Sequence, residues 1–424
     1  MSDPQRLEIQ DWMTAPETRQ VMTALAAGGR EARFVGGCVR DALLGRPVKD
    51  VDIATPDDPA KVMALLRDAG IKVVPTGLDH GTVTAVAGHR PFEITTLRED
   101  RETDGRRAKV AFTDDWQADA SRRDLTFNAM SCSADGRLFD PFGGRADLAA
   151  GRVRFVGDPK TRIEEDYLRL LRFFRFQAHY GRVPPEPSLL SVMAALAPRL
   201  RTLSGERLRA EFLKLLAAED PLPVLAAMQE HGILAAFLPE AEGLAVLARL
   251  LAFRQSAPED PILRLAALLP PDAKAAAAVA ERLRLSGAES LVLGRLAEPP
   301  PDLRQARRVL DGQEGPSGGP DACLALRFAL YHHGPKAVRE DLLLDAARCA
   351  VPAGRLGKPL AQIAGWRQRT FPLNGSDVLA LGVTAGPEVG ELLRRTVDWW
   401  IAEDFAPKRA ACLAELQRLY RDGA

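Results

Sequence analysis

Five cysteines in 424 residues, Cys38, Cys132, Cys323, Cys349 and Cys412, are scattered with no C-x-x-C pair among them. That spacing argues against a disulfide framework and a zinc knuckle, and it fits a reducing compartment. Neither sign of charge is in excess, since Lys+Arg and Asp+Glu are both 57. The chain as a whole is therefore no polycation, and any nucleic-acid contact must come from local patches. No apolar run approaches membrane-spanning length, and the stretch MSDPQRLEIQDW holds no apolar signal segment. A cytoplasmic protein with no membrane partner is the expectation. No G-x-x-x-x-G-K-[ST] loop and no dinucleotide fingerprint occur, which excludes a P-loop or a Rossmann crevice. No repeat of 34 or 40 residues is found, which argues against a solenoid. His332-His333 lacks the additional His and Asp ligands that a metal-dependent phosphohydrolase needs, and reads as a surface pair. A chain of this length exceeds one core, so two to four domains are expected.

The stretch GDPKTRIEEDYLRLLRFFRF, residues 157–176, predicts one amphipathic helix. Thr161 and Glu164 form a T-x-x-E capping box at its start. Leu168, Leu171, Phe174 and Phe176 give it a core side. Asp166, Arg169, Arg172 and Arg175 follow one another at intervals of three. At roughly 100° per residue, Asp166, Arg169 and Arg172 share one pocket, and Arg175 has drifted to serve something beside it.

Upstream, Phe34-Val35 is a short strand, Gly36-Gly37 a tight turn that lets the backbone approach a ligand, and residues 38–44 a short helix. Backbone N–H groups at a helix start bind phosphate, and Arg40 lies in that first turn. Residues 48–54 read as a second strand, with Asp50 and Asp52 leaving one face about 6–7 Å apart at Cα. Two carboxylates so placed suit a hard cation such as Mg²⁺, which takes a few carboxylate oxygens plus substrate phosphates. Residues 82–87 and 92–97 alternate apolar and polar as a hairpin. Glu93 on it is a candidate third metal carboxylate. Residues 98–115, charged and poor in large apolar side chains, read as a mobile loop. In SRRDLTFNAMSC, residues 121–132, Arg122 and Arg123 next to a metal site point to triphosphate contact.

GGCVRDALLG, DVDIAT, RRDLTFNAM, DPFGGRADL and EEDYLRLLRFFRF occur in that order over residues 33–216 together with SGERLRAEFLKLL. The combination resembles the class II tRNA nucleotidyltransferases, the CCA-adding enzymes, and the related bacterial poly(A) polymerases. The resemblance implies an α+β protein: a polymerase-beta-like nucleotidyltransferase head with a small mixed sheet (1–150), then an all-α neck (151–220), body (221–370) and tail (371–424). It implies that Asp50 and Asp52 hold the catalytic Mg²⁺, and that Gly36, Gly37, Arg40 and Arg123 hold the triphosphate and sugar. Asp166 and Arg169 would face the incoming base, with Arg172 and Arg175 in support. CTP and ATP are the implied substrates, and tRNA, gripped at its acceptor stem and elbow, the implied partner. Poly(A) synthesis, CC-only or A-only addition, and a non-catalytic RNA-binding module are the alternatives. The basic segment associated with the poly(A) subgroup is absent after RRDLTFNAM, and intact Asp50 and Asp52 argue against the non-catalytic module.

The pairing edges of cytosine and adenine explain Asp166 and Arg169 on the helix predicted over residues 157–176. Each shows an amine donor beside a ring-nitrogen acceptor. A carboxylate accepts from the amine and a guanidinium donates to the ring nitrogen. Uracil and guanine reverse the order, and each buried mismatch costs about 1–3 kcal/mol.

Overall fold

The computed structural model describes residues 6–103, 108–253, 260–307 and 319–423. Contacts divide the chain into two units, Met1–Phe237 and Leu238–Ala424.

The first unit is built on a seven-stranded sheet. Its strands are β1 (Arg33–Val35), β2 (Asp52–Thr55), β3 (Lys72–Gly77), β4 (Thr82–Ala87), β5 (Arg90–Thr96), β8 (Ser131–Cys132) and β9 (Leu138–Phe139), in the order β3-β4-β5-β2-β1-β8-β9. Only β2 and β5 pair in parallel; every other neighbour is antiparallel. β4 and β5 are the expected hairpin, alternating intermediate and buried residues along β4. Two further strands, β6 (Arg98–Thr103) and β7 (Ala108–Phe112), form a separate antiparallel pair. The loop expected over 98–115 is therefore mostly a second hairpin; residues 104–107 lie outside the described residues. Charge hid it, because a run of Arg, Glu and Asp carries no period-2 apolar alternation to mark a strand.

The sequence suggests one leading helix over residues 9–30; the structure has two, α1 (Asp11–Thr14) and α2 (Pro16–Ala26). Pro16 forces Ala15 into an extended conformation (φ −55°, ψ 140°), which ends the first turn. α2 and α4 (Pro59–Asp68) pack on β3 and β4, while α3 (Gly37–Leu43) packs on β1. Short helices α5 (Trp116–Ser121) and α6 (Gly144–Ala150) complete the head. Gly144 permits a close approach: a Cβ there would stand 2.3 Å from the Thr126 carbonyl oxygen.

The residues 157–176 form two helices, α7 (Pro159–Glu165) and α8 (Leu168–Tyr180). The cap is Asp158, whose Oδ2 accepts from Thr161 N at 2.8 Å, so the helix starts earlier than a Thr161 box implies. Pro at the first helical position reinforces that start. The break falls at Asp166, which is extended (φ −153°, ψ 105°). Its Oδ1 accepts from Leu168 N at 3.1 Å, a local alternative to the helical ladder. α8 buries Leu170, Leu171, Phe173, Phe174 and Phe176. After α9 (Pro187–Leu196), α10 (Gly205–Leu216) packs on α8 through Leu208, Phe212, Leu215 and Leu216. α11 (Leu222–Glu230) closes the unit.

The second unit is helical in its described residues. Helices α12 (Leu244–Ala252), α13 (Pro261–Leu268), α14 (Ala273–Arg282), α15 (Gly287–Ala297) and α16 (Pro301–Ala306) precede α17 (Gly319–Arg348), which is interrupted at Gly334 (φ 75°) before Pro335. His333 Nε2 lies 2.7 Å from Asp302 Oδ2, so this histidine is tied down instead of standing free at the surface. α18 (Gly357–Ala364), α19 (Gly375–Leu379), α20 (Pro387–Ala402) and α21 (Arg409–Gly423) follow, with Trp400, Leu416 and Leu373 in their core and Trp399 and Phe405 packed against it. The stretch DGQEGPSGGPDA, residues 311–322, reads from sequence as a loop-like break, and most of it lies outside the described residues.

Candidate active site

One open cavity of about 640 Å³ in the first unit is lined by Gly36, Gly37, Arg40, Asp50, Asp52, Arg123, Asp166, Arg169, Arg172 and Arg175. The fold thus gathers every candidate residue from the sequence except Glu93. Around the same cavity stand Arg122, Asp124, Asn128, Arg207 and Lys214, giving eight basic against four acidic side chains. That excess suits a polyanionic ligand.

The head supplies one wall. Gly36 has φ 68° and ψ −119°, a conformation open to glycine, and an added Cβ would sit 3.2 Å from Arg123 Nη1. Arg40 is buried and held on three sides. Its Nε and Nη2 each lie 2.9 Å from the Asp41 carboxylate, Nη1 donates to Asn128 Oδ1 at 2.8 Å, and the Tyr180 ring lies 4.5 Å away. Arg122 and Arg123 share Asp119, a buried carboxylate that also accepts from Arg98 N at 3.2 Å. Burial pushes the Asp119 carboxyl up, but Arg123, Arg122 and the Arg98 N–H outweigh it and hold it below the usual range.

Asp52 opens β2, four residues later than the start expected at residue 48, so Asp50 precedes the strand instead of lying within it. Both still line the cavity while Val51 and Ile53 are buried opposite. Burial, then the neighbouring Glu93 and Asp50 charges, push the Asp52 carboxyl up to about 6, with Arg123 and Arg40 opposing only in part. Glu93 is the register partner of Asp52 across the parallel strands and is exposed. Among the described residues, no group of three His, Cys, Asp or Glu side chains forms a metal cage. The donor set is thus two carboxylates of the hard oxygen type, crowded by like charge.

α7, α8 and α10 supply the facing wall. Arg169 Nη1 donates to the Arg162 carbonyl at 3.0 Å and to Glu165, and its Nη2 donates to the Arg122 carbonyl at 3.2 Å. Among the described residues these three bonds leave Nε–H and one Nη2–H of its five guanidinium hydrogens for a ligand. Asp166 Oδ2 accepts from Arg207 Nη2 at 2.8 Å. Arg172 reaches Asp124 and Arg175 reaches Glu211, with Arg175 Nη1 to Glu211 Oε2 at 3.1 Å. Glu165, Glu211, Arg207 and Lys214 were not singled out by sequence reasoning. Glu211 carried a signal: it is an acidic residue beside Phe212 on the apolar side of a helix, and it is 6% exposed.

A mixed-sheet head with paired carboxylates, facing an arginine-lined helical wall, defines a nucleotidyltransferase. Residues 32–154 match the family model described as poly A polymerase head domain, and residues 184–244 match the probable RNA and SrmB-binding site of polymerase A. The mitochondrial CCA tRNA nucleotidyltransferase 1 of Danio rerio is 34% identical over 402 residues, 92% of this chain and 87% of the relative. The CCA-adding enzyme of Streptococcus gordonii is 42% identical over 229 residues, 54% of this chain and 56% of that one. The crystal structure of the Bacillus stearothermophilus CCA-adding enzyme with CTP superposes with a TM-score of 0.67 at 28% identity, covering 98% of this chain and 99% of its own. The chain belongs to the CCA tRNA nucleotidyltransferase family, whose members are generally metal-dependent. No helix among the described residues is long and apolar enough to cross a membrane.

Proposed function

We propose that this cavity adds C, C and A to tRNA 3′ ends from CTP and ATP, with protein side chains in place of a template. The observation that carries the reading is the convergence of Asp50 and Asp52 with Asp166 and Arg169 on one basic cavity. The vertebrate relative is named as mitochondrial; the five free cysteines fit the reducing, cytoplasmic expectation for this chain.

In the reaction a tRNA 3′-hydroxyl attacks the α-phosphorus of the triphosphate and pyrophosphate leaves. Arg40 and Arg123, beside the Gly36-Gly37 turn, hold the triphosphate. Their other hydrogen bonds to Asp41, Asn128 and Asp119 fix each guanidinium before substrate arrives. Asp50 and Asp52 fit Mg²⁺, since a cation would relieve the crowding that raises Asp52, and two carboxylates leave room for phosphate oxygens. When bound, the metal supplies activation of the attacking oxygen and stabilisation of the leaving one. Glu93, the candidate third carboxylate, faces Asp52 across the parallel strands but does not line the cavity, so this reading leaves the cation with two carboxylates. Asp166 accepts from the exocyclic amine of cytosine or adenine, and the free donors of Arg169 meet the ring nitrogen. Arg172 and Arg175 add positive charge on the same wall. In this reading the chain works as a head (1–150), neck (151–220), body (221–370) and tail (371–424), with body and tail gripping the acceptor stem and elbow by shape and backbone contacts.

The test is purified protein with tRNA lacking its 3′ end and each labelled nucleotide, separately and together. Three additions that then stop are expected. An open-ended adenosine ladder would replace this reading with poly(A) synthesis.

A further inference from the structure

We infer that Arg207 is a specificity-determining positioning residue: from α10 it fixes the plane of the Asp166 carboxylate and so sharpens the choice of C and A over U and G. The inference rests on Asp166 being the base-reading carboxylate.

Asp166 sits at the break between α7 and α8, where its carbonyl accepts from Arg169 N at 2.9 Å but its extended backbone leaves the side chain to be oriented by other contacts. Two contacts orient its side chain. Oδ1 accepts from Leu168 N at 3.1 Å, and Oδ2 accepts from Arg207 Nη2 at 2.8 Å. The first alone leaves the carboxylate free to swing about that bond; the second defines its plane. An ionised carboxylate has about four acceptor positions, so two stay open for an amine. Discrimination depends on that plane. A carboxylate coplanar with the base meets an amine with a hydrogen bond and a carbonyl with repulsion, whereas one that tilts loses the bond and relaxes the repulsion together.

α10 is arranged for such a task. Residues 207, 211 and 214 recur at helical spacing along one edge, while Leu208, Phe212 and Leu215 face the core. From that edge Arg207 reaches Asp166, Glu211 reaches Arg175, and Lys214 lines the cavity. Arg207 and Asp166 are 40% and 31% exposed, so their pairing adds little to stability. Arg169 is held in a parallel way by Glu165 and the Arg122 carbonyl. Each half of the base-reading pair thus has its own anchor.

The experiment compares Arg207→Gln, Arg207→Lys and Asp166→Ala in the full chain, measuring kcat and KM for all four nucleotides on tRNA lacking CCA and on tRNA ending in CC. Arg207→Gln is expected to raise KM for CTP and ATP about tenfold and to lower the C-over-U and A-over-G ratios of kcat/KM by a similar factor. Its melting midpoint and tRNA Kd should hold, and Arg207→Lys should recover part of the ratio. Unchanged ratios in Arg207→Gln, with ratios lost in Asp166→Ala, overturn the role of Arg207 and leave Asp166 as reader. Unchanged ratios in Asp166→Ala overturn the reading itself. An equal fall in kcat for every nucleotide with a lower melting midpoint marks Arg207 as merely structural and also overturns the inference.

Discussion

Arg172 Nε lies 2.7 Å from Asp124 Oδ2, and this pair ties α8 to the turn that carries Arg122 and Arg123. Asp124 is buried and also accepts from Asn128 Nδ2 at 3.0 Å and from Leu125 N at 2.8 Å. Burial pushes its carboxyl up, yet Arg172, Asn128 and the Leu125 N–H outweigh burial and hold it below the ordinary range. The folded value is therefore depressed relative to the unfolded one. The stability it supplies is complete above the unfolded value and is lost as pH falls through the folded one. Asp124→Asn should cost about 2 kcal/mol near neutral pH, less than a fully enclosed pair because Arg172 reaches solvent. Urea titrations of both proteins should show the gap closing below about pH 4.

Asp52 has the opposite sign. Burial, Glu93 and Asp50 place its folded value at about 6, above the unfolded one. The group's favourable contribution, present below the unfolded value, is lost as pH rises through about 6. At pH 8 the ionised carboxylate then costs on the order of 1–2 kcal/mol, allowing for solvent access. Asp52→Asn should abolish CMP and AMP incorporation and spare tRNA binding. Without metal it should melt a few degrees above the unmodified protein at pH 8 and level with it at pH 4. Added Mg²⁺ should raise the midpoint of the unmodified protein alone.

The β4–β5 hairpin and the alternation into β2 were legible because alternation is local: Asp50 and Asp52 line the cavity while Val51 and Ile53 are buried, although β2 itself starts only at Asp52. The cavity was legible because its motifs are contiguous and their order carries the resemblance. The break at Asp166 was not, since a side chain bonding to Leu168 N competes with a helix that apolar periodicity alone favours. Nor were the anchors behind the arginines. Asp119, Glu211 and Arg207 act across 4, 36 and 41 residues of sequence, and no spacing rule relates the two longer separations.

Gly36 offers a test of the head wall. Its φ of 68° strains any L-residue, and a Cβ there meets Arg123 Nη1 at 3.2 Å. Gly36→Ala should lose about 1–3 kcal/mol of stability. Because the displaced guanidinium is one we assign to the triphosphate, KM should rise for CTP and ATP alike with the C-over-U ratio kept. A changed ratio with unchanged KM would move Arg123 from phosphate to base.

The β6–β7 hairpin tests how the enzyme passes from C to A. On the proposed reading a fixed Asp166/Arg169 pair accepts both bases, so the choice between them must come from another element and from the position of the primer end. The hairpin is rooted at the cavity: Thr113 N donates to the Leu97 carbonyl at 3.0 Å, and Arg98 N donates to Asp119, the carboxylate that also holds Arg122 and Arg123. Movement of the hairpin therefore reaches two arginines of the triphosphate wall through one side chain. Replacing residues 99–111 by a short Gly-Ser link keeps Arg98 and Phe112 at the root, where they are register partners. The shortened protein should add C to tRNA lacking its 3′ end at near the normal rate. On tRNA ending in CC, its A addition should fall by about tenfold or more. Equal loss of both activities in single-turnover assays would instead make the hairpin a general support of the site.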